Sequence, residues 1–240
     1  WLLYYPLDKM TAKHTDTLIT INQDDFALAK EKFKIANIHL MHGVGVDFNR
    51  LECDVKRQDI RSELGLCDDD FILLSIGELN KNKNNISILR AIHKLNNPKL
   101  KYLIAGNGPL KSYLEQEIAQ MGLSEQVKFL GYTREIGRYH KAADVFCFVS
   151  HREGLGLAAI EAMYSGLPLI TSNIRGINDY SAEGVTGFKA APGDVDKLAE
   201  SIDKLMKSPE LRETMGDHNK KAALIYSNEE AKKALEKIYF

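Results

Sequence analysis

Two carboxylates, Glu153 and Glu161, frame a pair of glycines in the run Ser150-His151-Arg152-Glu153-Gly154-Leu155-Gly156-Leu157-Ala158-Ala159-Ile160-Glu161-Ala162-Met163. The run follows the apolar stretch Val145–Val149, which has the look of a buried strand, and continues at helical spacing. Gly154 and Gly156 leave unobstructed amides at the expected start of that helix, where N–H groups and the helix dipole hold a diphosphate. If the helix ran from Glu153, Glu161 would lie about 12 Å along its axis. That is the span from a transferred sugar across a diphosphate to a ribose, and each carboxylate can accept two hydroxyl hydrogen bonds from a diol. Spacing alone favours blander roles: an acid favoured at a helix N-terminus for Glu153, an exposed mid-helix acid for Glu161. Glu161, however, sits among Ile160, Ala162 and Met163, where an unpaired carboxylate is costly, and this turns the balance toward function.

Three other junctions carry residues of interest. After Phe71–Ile76 comes Gly77-Glu78-Leu79-Asn80-Lys81-Asn82-Lys83-Asn84-Asn85. Gly77 permits close backbone approach, and Lys83 or Lys81 can neutralise a phosphate; a solvated polar loop fits the same residues equally well. Gly106-Asn107-Gly108-Pro109 places two glycines ahead of an expected first helical position at Pro109, an arrangement that fits an anion site and fits a plain tight turn better. It is not a dinucleotide fingerprint, because neither the third glycine nor the later acid is in place. In Thr171-Ser172-Asn173-Ile174-Arg175-Gly176-Ile177-Asn178-Asp179, Arg175 can reach a phosphate or a sugar, or pair with Asp179 at the surface, the commoner outcome.

These junctions need a scaffold. From residue 71 onward, strand-like runs alternate with helical patterns: Phe71–Ile76, Lys101–Ala105, Val127–Leu130, Val145–Val149, Pro168–Thr171 and Gly187–Ala190 are the expected strands. The pattern predicts an α/β, Rossmann-like parallel sheet with helices on both faces, whose ligands sit beyond the carboxyl ends of the strands. Ile86, Leu89, Ile92 and Leu95 form one helical face, and Leu110, Leu114, Ile118 and Met121 another, stopped by Gly122. Asp194 and Ser227 are expected N-caps, the latter in a capping box with Glu230, and Pro209 opens a further helix. Residues 1–48 read as a separate piece, with a strand at Thr17–Ile21, a helix from Asp24 to Phe33, a strand at Ile38–Met41, and Gly43 and Gly45 breaking the chain. The polar stretch Asn49–Arg61 reads as a linker, opening a second domain over residues 49–240.

A net charge of −1, from 32 Lys and Arg against 33 Asp and Glu, offers no global field for nucleic acid or acidic membranes. The three cysteines, Cys53, Cys67 and Cys147, suit neither a disulfide framework nor a zinc site and point to reduced thiols in the cytoplasm. The opening Trp1-Leu2-Leu3-Tyr4-Tyr5 stops at Pro6, too short for a signal peptide's apolar core. Because the chain opens on Trp1, a preceding N-terminal part of the parent protein is expected. Asp68-Asp69-Asp70 precedes a strand, where a solvated turn is the expectation.

Taken together, Ser150–Gly156, Glu161-Ala162-Met163 and Gly166-Leu167-Pro168 resemble glycosyltransferase family 4, the retaining GT-B enzymes that include bacterial capsule and exopolysaccharide synthases. Phe129-Leu130-Gly131-Tyr132, Ala143-Asp144-Val145, Gly106–Pro109 and Gly184–Phe188 follow in that family's order. The resemblance covers nearly all of residues 70–207, and residues 1–48 resemble the end of the family's acceptor-side domain. It implies that Glu153 contacts the donor sugar, Glu161 the ribose, Lys83 the diphosphate, and the amides around Gly154, Leu155, Gly156 and Leu157 the phosphate and sugar. Gly77, Gly106, Gly108 and Arg175 complete the expected donor site. The family usually has Arg where this chain has Glu78, which shifts phosphate binding partly onto Lys81 or Arg175.

The implied reaction is metal-independent, without cofactor: transfer from a nucleotide sugar, a uridine diphosphate donor by family-level expectation, to a growing glycan or lipid-linked acceptor. It implies peripheral membrane association through the absent N-terminal part. Competing readings are a fragment that binds donor without transferring it, a GT-B sugar-nucleotide epimerase and, weakest, a dehydrogenase.

Overall fold

The computed structural model describes residues 4–239; of the opening apolar run, Trp1, Leu2 and Leu3 lie outside the described residues. The chain forms two compact units, residues 1–46 with 225–240, and residues 47–224. The division falls after residue 46, and residues 225–240 group with the first unit.

In the first unit, helix α1 (Tyr4–Thr11) leads to strand β1 (Thr17–Thr20), helix α2 (Gln23–Lys32) and strand β2 (Asn37–Leu40). β1 and β2 pair in parallel from Thr17↔Asn37 to Thr20↔Leu40. α2 starts one residue earlier than expected because Asn22 caps it, its side-chain oxygen accepting from the Asp25 amide at 2.8 Å.

The second unit runs through α3 (Arg57–Glu63), β3 (Phe71–Ile76), α4 (Asn85–Leu95), β4 (Leu100–Ala105), α5 (Lys111–Gln120), β5 (Val127–Gly131), α6 (Ile136–Ala142) and β6 (Val145–Phe148). It continues through α7 (Leu157–Tyr164), β7 (Leu169–Ser172), β8 (Gly187–Ala190), α8 (Val195–Lys207) and α9 (Pro209–Ala223). The expected strands are all present, with ends shifted by a residue at most. Asp194 caps α8 through the Lys197 amide at 3.0 Å, and Ser208 caps α9 ahead of Pro209. Gly122, at φ +70°, ends the turn after α5, and the Leu123 amide returns to the Ile118 carbonyl at 2.9 Å. The closing helix α10 (Asn228–Tyr239), counted with the first unit, opens on Ser227, whose hydroxyl accepts from the Glu230 amide at 3.2 Å. Within that unit, Gly45 at φ +90° admits Asn228, since a Cβ there would lie 2.6 Å from the Asn228 side chain.

The six strands of the second unit lie in the order β5-β4-β3-β6-β7-β8, every pairing parallel. The chain winds outward from β3 through β4 to β5, then returns to place β6 on the other side of β3. That reversal opens a crevice beyond the carboxyl ends of β3 and β6. Leu73, Leu89, Ile92, Leu100, Val145 and Ile202 belong to the buried core beneath it.

Asn49–Arg61 is not a loose linker. Phe48–Leu51 forms a 3-10 turn, and α3 is fastened through Arg61, which is 3% exposed. Its guanidinium donates to the Ala142 carbonyl at 3.0 Å and to Asp144 Oδ2 at 2.8 Å, while Arg57 donates to Asp144 Oδ1 at 2.6 Å. Asp144 also accepts from the Ile72 amide at 2.7 Å, so one carboxylate ties α3 to the starts of β3 and β6. Polarity here reflects a paired, partly buried charge cluster rather than solvation.

Candidate functional site

The crevice is bounded by the loops after β3 and β6, and asparagines sew the two together. The His151 amide donates to the Asn82 carbonyl at 2.8 Å, the Arg152 amide to Asn82 Oδ1 at 3.0 Å, and Asn82 Nδ2 to the Arg152 carbonyl at 2.9 Å. Asn84, in the left-handed region at φ 55°, donates to the Val149 carbonyl, and Asn85 donates to the buried Tyr102 hydroxyl at 2.9 Å. Tyr102 in turn donates to Ser75, which donates to the Cys147 carbonyl, a hydrogen-bonded layer under the crevice floor. The asparagine-rich run therefore positions the loop that carries Glu153.

Lys83 reaches across the crevice to Glu153, with Nζ 2.5 Å from a carboxylate oxygen and 4.6 Å from the centre of the Phe148 ring. Both side chains remain partly exposed, 24% and 14%. Phe148, the last residue of β6, also fixes the next turn: a Cβ on Gly156, at φ +87°, would fall 2.5 Å from its ring. Gly154 is exposed, with nothing within 4 Å of the place a Cβ would take. Leu155 turns its side chain into the core, 5% exposed, whereas Leu157 remains 41% exposed at the helix start.

α7 begins at Leu157, with Gly156 as its N-cap residue, so Glu153 lies in the loop ahead of the helix. The helical projection between the two glutamates therefore covers only Leu157 to Glu161, about 6 Å at 1.5 Å per residue. Glu161 is 3% exposed and its carboxylate is paired with Arg50 Nη2. Burial pushes the Glu161 carboxyl above its ordinary range, and the Arg50 charge and hydrogen bond oppose that rise. Arg50, in a stretch expected to be linker, was not legible as a site residue: its partner is 111 positions away, and no local pattern joins them.

Gly77 and Gly106 border a cavity of about 640 Å³, lined also by Arg50, Glu78, Tyr132 and Arg134. Much of the glycine content on this side serves chain packing. The Gly106 amide donates to the Gly131 carbonyl at 2.7 Å, and a Cβ on Gly106 would fall 1.9 Å from the Gly77 carbonyl oxygen. A Cβ on Gly108 would fall 2.5 Å from the Leu79 backbone, and the Leu110 amide bonds the Leu79 carbonyl at 2.9 Å. Because of that fold-back, Pro109 precedes α5 by two positions instead of opening it. Lys81 borders a different cavity of about 370 Å³, with Tyr113 and His151.

On the other flank, Arg175 is exposed in the loop after β7. Its neighbour Gly176, at φ +78°, lets that loop lie on the Glu153 loop, since a Cβ there would fall 2.6 Å from the Glu153 carbonyl. Asp69 pairs with Lys99 on the surface and Asp70 accepts from the Cys67 amide, so the triple-aspartate segment is a turn. Among the described residues, no three His, Cys, Asp or Glu side chains group to hold a metal ion, and no helix is long and apolar enough to cross a membrane.

The parallel Rossmann-like sheet matches the architecture of GT-B glycosyltransferase structures. Residues 56–222 match the family Glycosyl transferases group 1, and the chain belongs to it. The putative glycosyltransferase EpsD of Bacillus subtilis (strain 168) is 34% identical over 244 residues, a match covering 100% of this chain and 64% of EpsD. The UDP-Gal:alpha-D-GlcNAc-diphosphoundecaprenol alpha-1,3-galactosyltransferase of Escherichia coli is 29% identical over 208 residues, covering 84% of this chain and 54% of that enzyme. Anabaena HepE, solved in complex with UDP and glucose, shares the fold at a TM-score of 0.85 and 20% identity, over 98% of this chain and 65% of that one. The chain thus spans less than two thirds of the length of each of these proteins.

Proposed function

We propose that this chain is the donor-holding part of a retaining, metal-independent GT-B hexosyltransferase of family 4. The observation that carries the reading is the crevice itself: Lys83 and Glu153 meet over a β6 loop with an exposed glycine, and a buried carboxylate, Glu161, lies one helical turn further on. A nucleotide sugar suits that order of groups. Its diphosphate would lie at the Gly154–Leu157 amides and draw Lys83 from Glu153; Glu153 would take sugar hydroxyls and Glu161 the ribose diol. The cavity of about 640 Å³ bordered by Gly77, Gly106 and Tyr132 lies within the usual size range of ligand sites and would receive the nucleoside.

In the proposed reaction the bond from the anomeric carbon to the diphosphate oxygen breaks, and the nucleoside diphosphate leaves with the electron pair. The acceptor hydroxyl attacks from the same face, its proton passing to the departing phosphate oxygen. Lys83 and the helix-end amides stabilise the charge that grows on that oxygen. UDP is the favoured nucleotide, supported by the UDP in the HepE complexes and the UDP-sugar in the Escherichia coli relative's name. That relative's diphosphoundecaprenol acceptor supports a glycan or lipid-linked acceptor and work at the cytoplasmic face of a membrane, as in capsule or exopolysaccharide assembly.

In the full-length protein, Glu153→Gln is expected to lower transfer by more than about a hundredfold, a loss of about 2.7 kcal/mol of transition-state stabilisation. A radiolabel transfer assay showing retained activity would remove Glu153 from the mechanism. A second reading, donor binding without transfer by this chain alone, is favoured by its span of 64% of EpsD. Calorimetry with a nucleotide-sugar panel beside the transfer assay separates the two.

A further inference from the structure

We propose that Arg50 is a positioning residue for the nucleoside end of the site, holding the Glu161 carboxylate through one oxygen and leaving the other to the ribose hydroxyls. The inference rests on the reading of Glu161 as the ribose contact. Arg50 Nη2 bonds Glu161 Oε1, while Oε2 has no hydrogen-bond partner among the described residues and is not among their sealed, unpartnered polar atoms. The Glu161 side chain is 4% exposed and that of Arg50 51%, so Arg50 closes over a buried acid from the solvent side. Arg50 also borders the cavity shared by Gly77, Gly106 and Arg134, where the nucleoside is proposed to lie.

The 3-10 turn that presents Arg50 is held on both sides. Asp47 caps it through the Asn49 amide at 3.1 Å, and Phe48 stacks on Tyr164 of α7, with ring centres 4.1 Å apart and planes 4° from parallel. Beyond Arg50, the Leu51 carbonyl lies against Gly137 of α6 so closely that a Cβ there would fall 1.9 Å from it. A long cation placed by a turn fixed at both ends is preorganised and loses less freedom on forming its bond. The other basic groups of α6 are engaged elsewhere: Arg138 pairs with Glu63, Lys141 donates to the Cys53 carbonyl at 2.8 Å, and His140 is 1% exposed, with burial and the Arg50 charge pushing its pKa down to about 3 and its Nδ1 meeting Ser165 Oγ at 2.8 Å. Ser165 donates to the Glu161 backbone carbonyl, not to its carboxylate. Arg50 is thus the charge that opposes protonation of Glu161, and a neutral Glu161 is a poorer acceptor for a diol.

The test measures UDP, ADP and GDP affinity by calorimetry at pH 8 and pH 6 for the wild type, Arg50→Gln, Arg50→Lys, Glu161→Gln and the double variant. Burial raises the Glu161 carboxyl and loss of Arg50 raises it further, so the charged form disappears as pH falls. Arg50→Gln is expected to weaken the best-bound nucleotide about tenfold relative to wild type at pH 6 and less at pH 8. Arg50→Lys, which keeps the charge, should restore most of the affinity at both pH values, and Glu161→Gln should make Arg50→Gln silent. If Glu161→Gln weakens binding but Arg50→Gln matches wild type at both pH values, the inference is wrong and the ribose reading stands. If Glu161→Gln binds as wild type, or no nucleotide binds the wild type, the ribose reading fails and takes the inference with it.

Discussion

Gly106 and Gly108, directly after β4, and Gly154 and Gly156, just ahead of α7 in the loop after β6, have the same spacing between a parallel strand and a helix. Their surroundings differ at the first glycine of each pair. A Cβ on Gly106 or Gly108 would strike the backbone of the β3 loop, whereas one on Gly154 would meet nothing within 4 Å. The first pair lets two chain segments touch; the second leaves one segment open at its first glycine and bends it around Phe148 at the next. Two glycines at a helix entrance signal close approach, and only the fold says whether a backbone or a ligand makes that approach.

The largest effect that separates the two flanks is on stability. Gly106→Ala places a Cβ 1.9 Å from a carbonyl at φ +135° and should cost more than about 3 kcal/mol, measured by urea unfolding. A cost below about 1 kcal/mol would show that the β3 and β4 loops separate easily, and the contrast would fail.

Close packing also holds His140, edge-on to the Phe146 ring, neutral with Nε2 buried and unpartnered. Its folded pKa of about 3 lies below the ordinary 6.5, so the unfolded chain binds the extra proton between those values and stability falls as pH drops. From pH 6.5 to pH 5 this contributes a loss of about 2 kcal/mol, which His140→Gln should remove from the pH slope of unfolding. An unchanged slope would mean that His140 is not buried in its neutral form.

The smallest stability effect belongs to the open flank. Gly154→Ala should change unfolding by no more than about 0.5 kcal/mol while weakening UDP-sugar binding about tenfold, since the new methyl group enters the ligand's space. A destabilised variant, or one with unchanged affinity, would place this loop with the packed kind.

What the sequence made legible follows the same division. Strands such as Phe71–Ile76 and caps such as Asp194 were readable because local apolar pattern and capping chemistry determine them. Glu161 drew notice as an acid in an apolar helix, and it is buried. Its partner Arg50 was hidden in a polar stretch, as was the structural work of Asn82, because both act on residues 70 or more positions away. Gly176 gave a faint signal, a glycine beside an arginine, but its contact with the Glu153 loop arises only when β7 lies next to β6.

The most direct test is a crystal structure of the protein with a UDP-sugar. The account predicts the diphosphate at the Gly154–Leu157 amides, Lys83 drawn from Glu153 onto phosphate, the sugar at Glu153 and the ribose at Glu161. A nucleotide bound outside the β3–β6 crevice, with the Lys83–Glu153 pair intact, would contradict it.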